Sequence, residues 1–183
     1  MLGLSARPSV SGGRPARLTV ALLFLVSAGC ASTPPRPRAD ACVAVLAGLP
    51  DVNGRYLDVS AWRGRVVVVQ FLATYCFPCF ATAPRLQDFA KRYGARGLSV
   101  VAVGMDLEGA RVLEPFQEQL GLQYPMLVAD PALRDGTTAF GHITTLPTTV
   151  IIGRDDTVLA AFKGVAVEAS FESFIESALD LKP

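Results

Sequence analysis

The sequence predicts an α/β fold in which helices cover both faces of a central mixed β-sheet. Residues 65–72 and 98–104 are apolar and rich in β-branched side chains, which is typical of strands buried on both faces. A helical pattern separates these two strands, and a hairpin followed by a helix ends the chain, an alternation that favours a sheet between helical layers. Of the 183 residues, 51% are hydrophobic and 18% are charged, which suits a packed core and not a disordered chain.

The other elements follow from periodicity and turn signals. Residues 43–46 and 56–59 are predicted as short strands on either side of an Asn53-Gly54 turn, and together they form an N-terminal β-hairpin. The remaining predictions are helices at about 78–96, 109–120, 131–140 and 168–181, and a C-terminal hairpin of strands 148–152 and 157–162.

Residues 1–29 are predicted to be an export signal. Arg7, Arg14 and Arg17 form a basic region without acidic residues, and the apolar run 18–26 follows it. This run is too short to span a bilayer as a helix, so a cleaved signal is favoured over an uncleaved anchor helix.

Residues 27–30 resemble the bacterial lipobox, in which the signal is cut before a cysteine that then carries lipid. The resemblance implies that Cys30 is lipidated, and a plain cleaved signal is the alternative. Residues 30–42 are rich in proline, which is typical of an extended tether, and residues 43–183 are assigned to the folded domain. We therefore expect a lipoprotein held through its N-terminal lipid at the periplasmic face of a bacterial membrane, inner or outer.

Cys76 and Cys79 are predicted to be a redox-active pair. They lie where a buried strand meets a helix, and the unpaired N–H groups and dipole at the start of a helix lower the pKa of a thiol. Cys76 is then the exposed nucleophile, and Cys79, one helical turn later, is the resolving thiol. Pro78 suits an early helical position, because its missing N–H has no partner to lose there.

Cysteine spacing alone leaves other interpretations open. Half of a zinc site requires further ligands, for which Cys42 and His142 are the candidates. A chemically idle structural disulfide is a second alternative. Cys42 is expected to be a small half-buried residue of no consequence, and the alternatives are a mixed disulfide or a third redox thiol.

Residues 71–79 resemble the thioredoxin-superfamily run F-W-A-x-W-C-x-x-C. Pro84, five residues after Cys79, matches a proline in the first helix of that fold, and residues 145–149 match the loop before its third core strand. The resemblance implies a thioredoxin-like fold in which Pro147 follows a cis peptide bond and faces the cysteine pair. The implied substrate contacts are Phe77, Pro78, Leu146 and Pro147.

Residues 51–69 and 122–130 further resemble the TlpA/ResA-like branch, which overlaps with the AhpC/TSA redoxin pattern. The segment 109–140 resembles the helical insertion of that branch, and the likeness covers about residues 43–182. It implies a monomeric thiol:disulfide oxidoreductase, without a cofactor or metal, that reduces disulfides of cell-envelope proteins. Apocytochrome c and metallochaperone thiols are the candidate substrates, and a DsbD/CcdA-like membrane protein is the candidate electron donor. The net charge of +1 gives no electrostatic basis for nucleic-acid binding.

Two positions depart from the family pattern. Gln70 stands where thioredoxins have a buried acid, and Thr82 stands where the branch often has a glutamate. The expected proton acceptor for Cys79 is therefore missing, and Asp106 or Asp88 replaces it only if the fold brings one of them close.

Aromatic side chains surround the pair more densely than the family pattern requires. Phe77 and Phe80 indicate either a docking surface for an apolar protein partner or simple helix packing.

Three alternative functions remain. A peroxiredoxin-like thiol peroxidase uses threonine three residues before its cysteine, where this chain has Ala73. A Sco-like copper carrier needs a Cys-x-x-x-Cys motif and a distant histidine, and His142 is expected instead to end a helix. A non-enzymatic thioredoxin-fold binding module has no reason to combine Cys76, Cys79 and Pro147.

Overall fold

The computed structural model describes residues 39–166 and 168–181. Five helices and five strands are labelled in chain order: α1 (Ala39–Ala47), β1 (Val66–Leu72), α2 (Phe77–Tyr93), β2 (Leu98–Gly104), α3 (Ala110–Gln119), β3 (Met126–Val128), α4 (Pro131–Arg134), β4 (Thr148–Ile152), β5 (Val158–Lys163) and α5 (Glu168–Asp180). Short 3-10 helices cover Val59–Trp62 and Gly94–Arg96.

The five strands form one mixed sheet in the order β3-β2-β1-β4-β5. β1 pairs in parallel with β2 and antiparallel with β4, and every residue of β1 is buried. Phe71 of β1 lies opposite Thr148 of β4, so the end of β1 and the start of β4 meet at one edge of the sheet. The predicted mixed sheet between helical layers is confirmed.

Alternate residues of β1 point into two separate hydrophobic cores. Val66, Val68 and Leu72 pack on the side of α2, α3 and α5. Val67, Val69 and Phe71 pack on the opposite side with α1 and α4. Full burial stabilises the fold by about 1.5–3 kcal/mol for each large side chain, which explains why β1 has the two-faced apolar pattern of a central strand.

The predicted N-terminal hairpin is wrong. Residues 43–46 belong to α1, and Tyr56 makes only an isolated antiparallel bridge to Pro50. Cys42 and Leu46, four residues apart on one helical face, are both buried against the sheet. A four-residue apolar run fits a strand and a buried helix equally well, and here tertiary packing selects the helix.

The boundary of the predicted tether also changes. α1 begins at Ala39, inside the 30–42 segment, so the folded domain starts before residue 43. The predicted signal 1–29, Cys30 and the rest of the tether lie outside the described residues. Among the helices of residues 39–166 and 168–181, none is long and apolar enough to cross a membrane.

The predicted helical insertion is only partly helical. It contains β3, which sequence periodicity missed because a three-residue strand carries almost no pattern. α4 starts as expected, with the Asp130 carboxylate accepting from the Leu133 N–H at 2.8 Å, but it ends at Arg134 and not near residue 140. Gly136, with φ of +73°, turns the chain away. His142 consequently lies in a loop and not at a helix end.

Candidate active site

Cys76 and Cys79 form a disulfide at the junction between β1 and α2. Cys76 is the N-cap residue of α2, and Cys79 lies in the first turn beside Pro78. Their burial differs, since Cys76 is 8% exposed and Cys79 is 0% exposed. Both residues are therefore buried, so Cys76 is less exposed than predicted, although it is the more accessible of the two.

Cys42, the third described cysteine, lies outside the disulfide. It is only 1% exposed and packs on α1 against the opposite face of the sheet, so the structure buries it more deeply than predicted. Within residues 39–166 and 168–181, no group of three or more His, Cys, Asp or Glu side chains is placed to hold a metal ion.

A buried carboxylate anchors the loop that leads to Cys76. Asp106, 1% exposed, follows β2, and both of its oxygens lie 3.1 Å from the Thr74 N–H. The Thr74 hydroxyl also donates to Asp106 at 2.5 Å. Asp106 is thus one of the two acids considered from the sequence, and the fold brings it to the active-site loop. Asp88 remains exposed on α2.

The two departures from the family pattern contact each other behind the disulfide. The Gln70 side-chain amide Nε2 donates to the Thr82 hydroxyl at 3.0 Å. Thr82 in turn lies 3.2 Å from the Pro78 carbonyl oxygen and 3.3 Å from that of Cys79. Gln70 therefore connects β1 to the first turn of α2. Sequence reasoning marked both residues as departures but missed their contact, because they are 12 positions apart.

A cis peptide bond joins Leu146 and Pro147, as the family resemblance implied. Pro147 precedes β4, and the pairing of Phe71 with Thr148 brings this peptide to the same sheet edge as the loop before Cys76. The Pro147 carbonyl accepts from the Gly164 N–H at 2.7 Å, and the Thr148 hydroxyl donates to the Thr145 carbonyl at 2.6 Å. These bonds fix the loop on both sides of the cis peptide.

Aromatic residues beside the pair divide into two groups. Tyr75 and Phe77 are 76% and 87% exposed. Phe80 is only 37% exposed and packs edge to face on Phe116 of α3, with 4.9 Å between ring centroids. Packing between helices therefore explains the aromatic side chain at Phe80. The Phe77 ring remains largely exposed, so packing does not explain it.

The chain is similar to known proteins in sequence and in fold. The family model described as Redoxin matches residues 23–178. The thiol-disulfide oxidoreductase ResA of Halalkalibacterium halodurans is 28% identical over 128 residues, which cover 70% of this chain and 70% of the relative. The protein of the same name from Geobacillus thermodenitrificans is 28% identical over 131 residues, which cover 70% of this chain and 72% of the relative.

A solved structure agrees with these sequence relatives. The thiol:disulfide interchange protein of the thioredoxin family from Chlorobium tepidum superposes with a TM-score of 0.62 at 26% identity, covering 71% of this chain and 90% of that one. Together the matches confirm the predicted thioredoxin-like fold and the predicted enzyme class, a thiol:disulfide oxidoreductase. Since the family model covers most of its length, the chain belongs to the Redoxin family.

Proposed function

We propose that Cys76 and Cys79 exchange disulfides with protein substrates, with Cys76 as the nucleophile and Cys79 as the resolving thiol. The unequal burial of the two residues carries this proposal, because the exchange must begin at the cysteine that a partner can reach, and Cys76 is 8% exposed whereas Cys79 is 0% exposed. Cys76 also occupies the N-cap position of α2, where unpaired N–H groups and the helix dipole stabilise a thiolate.

The reaction has two steps in the reductive direction. The Cys76 thiolate attacks the substrate disulfide, which forms a mixed disulfide and releases one substrate thiolate. Cys79 then attacks the Cys76 sulfur, which closes the intramolecular disulfide and releases the second substrate thiolate. The cysteine pair loses two electrons and the substrate disulfide gains them, while the two thiol protons pass to the substrate sulfurs or to solvent.

The substrate chain is proposed to lie across Phe77, Pro78, Leu146 and Pro147. Within the described part of the chain, the N–H and C=O of Leu146 make no backbone hydrogen bond, so both can pair with an extended peptide. The exposed ring of Phe77 adds apolar contact next to the reactive sulfur.

The proposed direction is reduction of cell-envelope proteins, such as apocytochrome c or metallochaperone thiols, by a monomer that a DsbD/CcdA-like membrane protein recharges. Similarity to the TlpA/ResA branch supports this direction. Equilibration with glutathione or dithiothreitol measures the reduction potential. A value near that of thioredoxin, about −270 mV, supports a reductase, and a value near that of strong oxidants, about −120 mV, contradicts it.

Export and lipid attachment at Cys30 belong to the same proposal and rest on the sequence of residues 1–30. Growth of the native host with a clickable fatty acid tests them. The full-length chain should incorporate label and the Cys30→Ser variant should not, whereas an unlabelled wild-type protein refutes the lipoprotein assignment.

Exchange itself is tested with the reduced protein and a peptide disulfide of known mass. Wild type and Cys42→Ser should both convert the peptide to its dithiol, because Cys42 is buried away from the pair. Cys76→Ser should be inactive. Equal rates for Cys76→Ser and wild type would show that the pair is a structural disulfide.

A further inference from the structure

The amide oxygen of Gln70 is a buried acceptor without a partner among the described residues. Gln70 is 1% exposed and its Nε2 donates to Thr82, whereas its Oε1 accepts no hydrogen bond from any residue that the structure describes. Buried acceptors in folded proteins nearly always bind a donor from the protein or from an ordered water molecule. Gln70 is also the only polar residue of β1, a strand whose seven residues are all buried.

A cavity of about 40 Å³ lies next to this amide. The polar residues Gln70, Thr82 and Thr149 and the apolar residues Leu86, Phe89 and Phe171 are among those that line it. One water molecule needs about 10–15 Å³ and two or more polar partners, so this cavity can hold water. Arg85, which is exposed, also lines it, so the cavity reaches the protein surface.

Thr82 connects the lining of the cavity to the helical turn that holds the resolving cysteine. Thr82 follows Cys79 by three residues on α2, and residues at this spacing lie on the same helical face with Cβ atoms about 5–6 Å apart. The Thr82 hydroxyl has one proton, which it donates to the carbonyl of Pro78 or Cys79, and two lone pairs, of which one accepts from Gln70. Its second lone pair is left for a thiol or a water molecule.

We propose that Gln70 is a positioning residue whose Oε1 holds a water molecule in this cavity, and that this water carries away the proton that Cys79 loses during exchange. The proposal rests on the proposed function and assigns the proton route of its second step. Cys79 is 0% exposed and cannot give its proton directly to bulk solvent. Neither an amide, a hydroxyl nor a water molecule is a strong base at neutral pH, so Gln70 and Thr82 hold the water in place and the water relays the proton outwards.

As the Cys79 thiol gives its proton to the cavity water, the same water molecule passes one of its own protons to bulk solvent, so no charge accumulates in the cavity. The Cys79 sulfur bonds to the Cys76 sulfur, the bond between Cys76 and the substrate breaks, and the substrate leaves as a thiolate. Cys79 and Cys76 end oxidised, and the substrate sulfur ends reduced.

Two variants and a matched control test this route with the peptide disulfide assay. Acid quenching and mass spectrometry separate formation of the mixed disulfide from its resolution. Gln70→Met keeps the length of the side chain but removes both polar atoms of the amide. We expect the mixed disulfide to form at the wild-type rate and to be resolved about 100-fold more slowly. This factor is the lower end of the range for loss of a positioned proton acceptor. Leu86→Met changes the same cavity without removing a polar group, and both of its steps should match wild type.

Gln70→Glu supplies an ionisable group that can take the proton itself. It should resolve the mixed disulfide at least as fast as wild type and should add a titration to the pH profile of that step, which a purely structural role of Gln70 would not produce. A slow Gln70→Glu variant, or a Gln70→Met variant that resolves at the wild-type rate, overturns the proposal.

A crystal structure of the wild-type protein at atomic resolution tests the water itself, whether or not the variants fold. The expected result is an ordered water within hydrogen-bond distance of Gln70 Oε1, and a dry cavity overturns the proposal. If wild type forms no mixed disulfide at all, the proposed function fails as well. If wild type resolves its mixed disulfide and Gln70→Met equals it, only the water route fails.

Discussion

Replacing Asp106 with alanine removes the acceptor that holds the loop before Cys76. The carboxylate is 1% exposed and accepts from both the N–H and the hydroxyl of Thr74. A hydrogen bond to a charged group contributes about 1.5–3 kcal/mol, so the two bonds amount to about 3–6 kcal/mol before compensation. Thr74 is half-buried, so its hydroxyl regains a bond with water, and loss of the buried charge removes a desolvation cost. We therefore expect a net loss of about 1.5–3 kcal/mol in the free energy of unfolding.

Urea denaturation of the oxidised protein measures this loss as a lower midpoint at an unchanged m-value. Asp106→Asn keeps one acceptor oxygen and should lose about half as much stability as Asp106→Ala. Asp88→Ala, an exposed change on α2, is the matched control and should stay within about 0.5 kcal/mol of wild type. An Asp106→Ala variant as stable as that control would refute the anchoring role of the carboxylate.

Three further predictions use the same assays. Phe77→Ser should leave stability unchanged, since the ring is 87% exposed, but should slow exchange with a protein disulfide about fivefold without affecting a small disulfide; full activity on the protein would refute docking. Leu46→Ala should cost about 2–5 kcal/mol in urea denaturation, because Leu46 is 0% exposed, and a loss below about 1 kcal/mol would show that α1 is not part of the core. The hydrogen bond from Tyr93 holds the pKa of Glu172 below its ordinary value of 4.5, so wild type has this stabilisation in full above pH 4.5 and loses it as the pH falls through the lower value. The difference in unfolding free energy between wild type and Glu172→Gln should therefore shrink in acid. A constant difference from pH 7 to pH 3 would show that the hydrogen bond from Tyr93 does not depend on ionisation of Glu172.

The central strands and the cysteine pair were predictable because their signals are local. A seven-residue run that begins with four valines and is apolar except at Gln70 identifies β1, and the spacing of Cys76 and Cys79 after it places both at the start of a helix. The cis bond at Pro147 was expected only through family resemblance, since nothing in its own sequence window requires it.

Other features depend on contacts between distant residues and could not be predicted from one sequence. Asp106 lies 32 positions from Thr74, and only the parallel pairing of β1 with β2 brings them together. The contact between Gln70 and Thr82 likewise depends on how α2 lies over β1. α1 was mistaken for a strand because its short apolar run has no period long enough to separate helix from strand.

Trapping of the mixed disulfide tests most directly whether Cys76 attacks and Cys79 resolves. Reduced Cys79→Ser and Cys76→Ser variants are each mixed with the same peptide disulfide, and the adducts are measured by mass spectrometry without reductant. We predict a stable adduct on Cys76 in the Cys79→Ser variant and almost none on Cys79 in the Cys76→Ser variant, since Cys79 is 0% exposed. Equal adduct formation by the two variants, or formation on Cys79 alone, would contradict the assignment of these roles.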